Sequence, residues 1–313
     1  MTAIGSSVSA FVEGLTYRGR EGHLSFIGHR LAGLGVLLFL AIHILDTSTV
    51  YFGKLLNAPD LYTHAIGIYR STPFMLGEIL LVAAVIYHGV NGLKLILYDT
   101  FPNWWQVQHE RQGFWKVVIL TFVLWVPAAY VMGRSLYLNN ICNCVPPSTL
   151  TTAQVASATN FTLAAVPIAF VAILGVLAIG GKLRQQTAGG PPGRRVALPA
   201  KTFDTYVWQF MRWSGVLLIP LAWMHVLLQD VVVGVHSINL DFVALRWATT
   251  GWRIYDVALL GFAFGHGMFG LRQVVNDYVH HPGWNRAIKW LMVIGWLTIT
   301  TIGAVAIVGG VLQ

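Results

Sequence analysis

Four histidines, His43, His88, His225 and His266, stand inside long apolar stretches of the chain. An imidazole in hydrocarbon is costly and normally faces a cavity or a cofactor. A single one reads first as hydrogen-bonded structure, but these four occupy matching places in two copies of a repeat. HRLAGLGVLLFLAIH (29–43) recurs as MRWSGVLLIPLAWMH (211–225), which maps Arg30, Gly33 and His43 onto Arg212, Gly215 and His225 at one offset of 182. HGVNGLKLILYD (88–99) recurs as HGMFGLRQVVND (266–277) at an offset of 178, mapping His88, Gly92 and Asp99 onto His266, Gly270 and Asp277. His43 and His225 lie 13 residues past their arginines, and His88 and His266 lie 11 residues before their aspartates. On a helix those intervals are about 20 Å and about 16 Å, so each equivalent pair is level and near mid-bilayer. Two level imidazoles facing across a bundle can supply both axial positions of a haem iron. Such an iron has no open position and carries electrons. Gly92 and Gly270, one turn after His88 and His266, leave room for a flat macrocycle or for close helix contact.

The elements that must hold these residues are transmembrane helices. The 313 residues are 56% apolar and 10% charged, far below the charge of a soluble domain, and rich Gly and Trp suit a polytopic membrane protein. A nucleic-acid binder is excluded. A bilayer core needs about 20 apolar residues per helix, which predicts seven spans near 31–52, 73–98, 115–137, 161–181, 210–235, 253–275 and 288–311, with Thr72-Pro73 as a helix start. Alternating the loops between sides puts fifteen of the twenty Lys and Arg on the side of the N-terminus and five on the other. The basic excess places the N-terminus in the cytoplasm and the C-terminus outside. The +8 net charge is therefore topological.

The expected fold is an all-α membrane protein, a haem-binding bundle of seven transmembrane helices in which one linker helix joins two parallel three-helix modules. The boundaries are a cytoplasmic segment 1–28, a first module 29–137, an outer loop with linker helix 161–181 and a polar linker over 138–206, and a second module 207–313. A three-helix module ends opposite its start, and the linker helix returns the chain so that both copies begin on one side. Residues 1–24 show no cleavable signal peptide. The only two cysteines, Cys142 and Cys144, read as outer-loop thiols that would pair only with strain. Zinc or di-iron readings are weaker, because such sites need clustered ligands, usually with carboxylates, and Asp46, Glu78 and Asp230 fall towards the outer helix ends.

The motifs HRLAGLG (29–35), YHGVNGLKLILYD (87–99) and HGMFGLRQVVNDYV (266–279) resemble the cytochrome b membrane-anchor subunits of succinate dehydrogenase (succinate:quinone oxidoreductase), with C-type and D-type anchors fused in one chain. The resemblance implies partners, a flavoprotein and an iron–sulfur subunit that oxidise succinate, and electron delivery to a membrane quinone at this chain. It implies two b haems, one on His88 and His266 nearer the iron–sulfur side and a distal one on His43 and His225. It implies a quinone site at the cytoplasmic end from Arg30 and Tyr278, with Asp277 beside the Tyr. Ser25 is the available serine, although Phe26 holds the position where the family places one. His29 and Arg212 are candidates to neutralise haem propionates. Two haems suit menaquinone over ubiquinone, in a multi-pass protein of a bacterial plasma membrane or its equivalent. Two alternatives stand beside this: a di-haem anchor of a formate dehydrogenase or hydrogenase, and a transporter, whose repeats are also internal but often inverted.

Overall fold

The computed structural model describes residues 20–58, 60–144 and 202–310 continuously, with scattered positions within 9–13 and 156–178. Among these residues the chain is helical. Its helices are α1 (Glu21–Leu55), α2 (Leu61–Tyr69), α3 (Thr72–Thr100), α4 (Val107–Leu136), α5 (Phe203–Val226), α6 (Leu240–Trp247), α7 (Thr250–Tyr278) and α8 (Pro282–Gly309). Short π-helical stretches, Tyr137–Ile141 and Leu227–Val233, prolong α4 and α5. Six of these, all but α2 and α6, are long and apolar enough to cross a membrane. The span expected at 161–181 and the polar linker after it lie outside the described residues, apart from scattered positions, so the seven-helix count stands as six described spans.

The spans begin at the expected places and run longer. α1 starts at Glu21, well before the apolar window at 31, because its early polar residues find partners: Glu21 with Arg111, and Ser25 with Asn91 and Lys94. Hydropathy marks where hydrocarbon ends, whereas backbone hydrogen bonding continues for as long as side chains tolerate it. Pro73 and Pro282 occupy the first turns of α3 and α8, where the missing N–H does no harm. The short helices α2 and α6 were not expected. Each follows the first long helix of its copy, and α6 carries a readable start in Asn239, whose side chain accepts from the Phe242 N–H at 2.9 Å.

Packing interleaves the two copies. α1 lies against α7 and α3 against α5, so the first helix of each copy contacts the second of the other. The third helices wrap outside: α8 covers α1 and α7, and α4 covers α3 and reaches the π-helical end of α5. Leu37 and Ile44 of α1, Leu260 and Phe264 of α7, and Ile307 of α8 form the main core beneath Tyr62 and Trp247 of the short helices. Outward apolar side chains such as Leu38, Leu80, Tyr130 and Leu291 are 66–70% exposed. Only lipid covers such surface at low cost.

Candidate functional site

The interleaving brings the four histidines together as two pairs, each made across the copies. His88 on α3 faces His266 on α7 with ring centres 6.1 Å apart and planes at 87°. His43 on α1 faces His225 on α5 at 6.1 Å and 81°. An imidazole nitrogen lies about 2 Å from a metal it ligates and roughly 1 Å from its ring centre. Two imidazoles on opposite sides of one iron therefore place their ring centres about 6 Å apart, and both pairs meet that spacing. Among the described residues no three His, Cys, Asp or Glu side chains cluster around a point, as a zinc or di-iron site would require.

His88 and His266, the pair nearer the Arg30 end and called the inner pair for that position, also have a fixed tautomer. His88 Nδ1 lies 3.0 Å from the main-chain carbonyl of His29, which can only accept, so Nδ1 carries the proton. His266 Nδ1 lies 2.9 Å from Ser214 Oγ, and that hydroxyl donates to the Phe210 carbonyl at 2.6 Å. The serine oxygen accepts, and again Nδ1 is the protonated nitrogen. Both Nε2 lone pairs are left bare, the tautomer that axial ligation uses. At the outer pair, Nδ1 of His43 and of His225 is buried with no hydrogen-bond partner.

Charges lock the inner end with the same exchange. Arg30 of α1 pairs with Asp277 at the end of α7, and Arg212 of α5 pairs with Asp99 at the end of α3 at 2.6 Å. Each guanidinium stacks on an aromatic ring four residues earlier, Arg30 over Phe26 at 4.1 Å and Arg212 over Trp208 at 4.6 Å. Phe26 and Trp208 are themselves related by the offset of 182.

The family described as succinate dehydrogenase/fumarate reductase transmembrane subunit matches residues 14–128 and again 192–304, more than half of the chain. The chain belongs to this family. It is 33% identical over 117 residues to the succinate dehydrogenase 2 membrane subunit SdhC of Mycobacterium tuberculosis, a match covering 37% of this chain and 81% of that one. The chain is thus a succinate dehydrogenase-type cytochrome b membrane anchor, an integral membrane subunit of an oxidoreductase complex. A transporter and a formate dehydrogenase or hydrogenase anchor are set aside by this membership.

Within this anchor the structure sorts the remaining candidates. Tyr278, half-buried, ends α7 directly after Asp277 and so sits at the Arg30 end. Ser25 does not join them. It is buried on another face of α1, donating to Asn91 Oδ1 at 2.7 Å and accepting from Lys94 Nζ at 2.9 Å; Lys94 in turn pairs with Glu110 at 2.8 Å. Five helical positions before Arg30 put Ser25 well round the helix from it. His29 stacks flat on the His88 ring at 3.9 Å, and Arg212 is committed to Asp99. Gly92 and Gly270 are not tight positions: a Cβ would meet only His29 at 3.5 Å and Met211 at 4.0 Å.

Several residues were not foreseen. Ser214, which orients His266, gives no sequence signal beyond being a polar residue in an apolar run. Arg246 and Asp256 form a buried bidentate pair at 2.5 and 3.0 Å, with Trp247 Nε1 donating to the same carboxylate at 2.9 Å. Asp256 was legible as a lone acid inside a span, a residue type that requires a partner. On the short helices at the outer end, burial followed by the Asp46 carboxylate, which accepts from Tyr69 at 3.0 Å, holds the Tyr69 phenol far above its ordinary range. Burial pushes Tyr62 up to about 12. The sulfurs of Cys142 and Cys144 lie side by side.

Proposed function

We propose that this chain is the di-haem, quinone-reactive anchor of a succinate:quinone oxidoreductase, with haem between His88 and His266 and between His43 and His225. The observation that carries it is the pair of cross-copy histidine couples with equal 6.1 Å spacing. Haem iron held this way supplies one-electron transfer with no open coordination position. The His29 carbonyl and Ser214 hydroxyl hold the inner imidazoles in register and raise their basicity as ligands. At the outer site, Arg246 Nη1 and Trp252 Nε1 are buried without hydrogen-bond partners, and the Arg246 guanidinium lies 3.9 Å over the Trp252 ring. These two donors suit the propionates of the distal haem.

Electrons arrive from an iron–sulfur subunit, itself served by a flavoprotein, at the basic end, which is cytoplasmic by the fifteen-to-five distribution of Lys and Arg. Quinone binds at that end. Arg30 donates to one quinone oxygen, the Tyr278 hydroxyl donates a hydrogen bond to an oxygen as negative charge develops, and Asp277 orients Arg30. Menaquinone is favoured over ubiquinone because two haems suit a low-potential acceptor. The two matched segments support the division into two three-helix modules.

An optical spectrum of the purified complex tests the haem reading, and the absence of a reduced b-type band would sink it. In a redox titration His43→Ala should lose one b component and keep the other. Tyr278→Phe should slow quinone reduction with haem spectra unchanged; wild-type turnover in that variant removes Tyr278 from the site.

A further inference from the structure

Both third helices open with the same short pattern. Arg111, Trp115 and Val118 at the start of α4 map onto Arg286, Trp290 and Val293 at the start of α8 with one offset of 175. The start of α8 forms a cleft with the end of α7 at the basic end of the bundle, and the start of α4 offers a shallower one along its own open face. The α8 cleft, about 620 Å³, is lined by Asn276, Asn285, Arg286, Lys289, Trp290 and Val293, among others. The α4 cleft, about 520 Å³, is lined by Gln108, Arg111, Gln112, Trp115, Lys116 and Ile119. In both, an Arg and an amide sit in the first turns, a Trp lies one turn past the Arg with a Lys beside it in sequence, Lys289 before Trp290 and Lys116 after Trp115, and an aliphatic residue lies about a turn deeper again. Among the described residues none covers that deeper wall: Trp290 and Trp115 are 64% and 51% exposed, and Val293 and Ile119 are 40% and 60% exposed.

We propose that these clefts are two related binding sites for anionic phospholipids, one per module. The phosphate sits between Arg286 and Lys289, three positions apart, in the α8 cleft and chiefly at Arg111 on α4, where Lys116 is five positions on; an acyl chain runs down the Trp and aliphatic wall. Charge and depth both select this occupant. A free phosphate would use the mouth and leave the apolar wall bare, and a zwitterionic lipid would gain less from two cations, each worth about 1 kcal/mol to an anionic headgroup near the surface. A Trp one turn past an Arg and level with a Lys sits at the headgroup boundary, where its ring is partly apolar and its N–H wet. The clefts differ in strength. Arg111 is shared with Glu21 at 3.2 Å, while among the described residues no carboxylate pairs with Arg286 or Lys289, so the α8 cleft is the tighter of the two.

The test is spin-labelled phosphatidylglycerol against spin-labelled phosphatidylcholine, measured with the intact purified complex in phosphatidylcholine bilayers. Wild type should immobilise phosphatidylglycerol preferentially. Arg286→Gln with Lys289→Gln should weaken that preference about thirtyfold at one site, and Arg111→Gln with Lys116→Gln should cause a smaller loss at the other. Millimolar inorganic phosphate should leave the preference intact. Equal immobilisation of both lipids, or no change in either double variant, overturns the proposal. Displacement of the lipid by phosphate shows a simple anion site and also overturns it. Loss of the iron–sulfur subunit in the variants with lipid preference unchanged would show that protein docks there instead.

Discussion

Gly33 on α1 lies directly against the ring of His88 on α3: a Cβ there would stand 2.8 Å from Cε1 and 3.1 Å from Nδ1. The equivalent Gly215 faces His266, but with 3.6 Å to Cε1, which is ordinary contact. The repeat therefore places two similar glycines against two similar histidines and makes only one of them tight. Gly33→Ala must push His88 off the His29 carbonyl or part the helices, an overpacking cost of about 1–3 kcal/mol. Reduced-minus-oxidised spectra should show a weakened inner haem component in Gly33→Ala and a full one in Gly215→Ala. Equal spectra in both variants would contradict the steric argument.

The crossed ion pairs make a graded prediction. Asp99 receives both Nε and Nη2 of Arg212 and is about a quarter exposed, whereas Asp277 is 47% exposed. Exposure to solvent weakens a pair to about 1 kcal/mol or less. Asp99→Asn should lower the melting temperature of the detergent-solubilised complex more than Asp277→Asn does. The charge-swapped pair Asp99→Arg with Arg212→Asp should recover part of the loss.

Asp256 is a different case. Its partner Arg246 is 5% exposed and stacks on the fully buried Trp252. Removing one member of a buried pair strands the other charge, at about 3–5 kcal/mol. Asp256→Asn should be the most damaging of the acid-to-amide changes by thermal melting, and replacing both Arg246 and Asp256 with leucine should be milder than the single change.

His236, in the turn between α5 and α6, is held below its ordinary range by burial and then by Arg70. Arg70 itself clamps that turn, donating to the carbonyls of Val235 and Ile238. With a depressed pKa in the folded state, the unfolded chain takes up the proton first. This contribution to stability is complete above the unfolded value of about 6.5 and declines as pH falls below it. His236→Gln should flatten that part of the stability profile between about pH 6.5 and 5, measured by chemical denaturation.

What could be read in advance was whatever depends on order and composition along the chain. Hydropathy located the six described spans because each must present about 20 apolar residues to hydrocarbon. The repeat located His43, His88, His225, His266, Arg30 and Asp277 because matching residues at fixed offsets must recur at matching depths. The short helices α2 and α6 escaped because nine and eight residues leave little periodic signal against long apolar neighbours. Ser25 looked close to Arg30 in sequence and is turned away from it on the helix.

Depth along each helix, and hence which histidines are level, is a one-dimensional property that helical rise converts directly from residue number. Which helix stands beside which is not. That the first helix of each copy lies against the second helix of the other followed from packing, because side-chain shape and volume across an interface leave no trace in either strand of sequence alone. From that exchange came the crossed Arg30–Asp277 and Arg212–Asp99 pairs, while packing within the second copy set Ser214 against His266 and the buried Arg246–Asp256 pair beside Trp252.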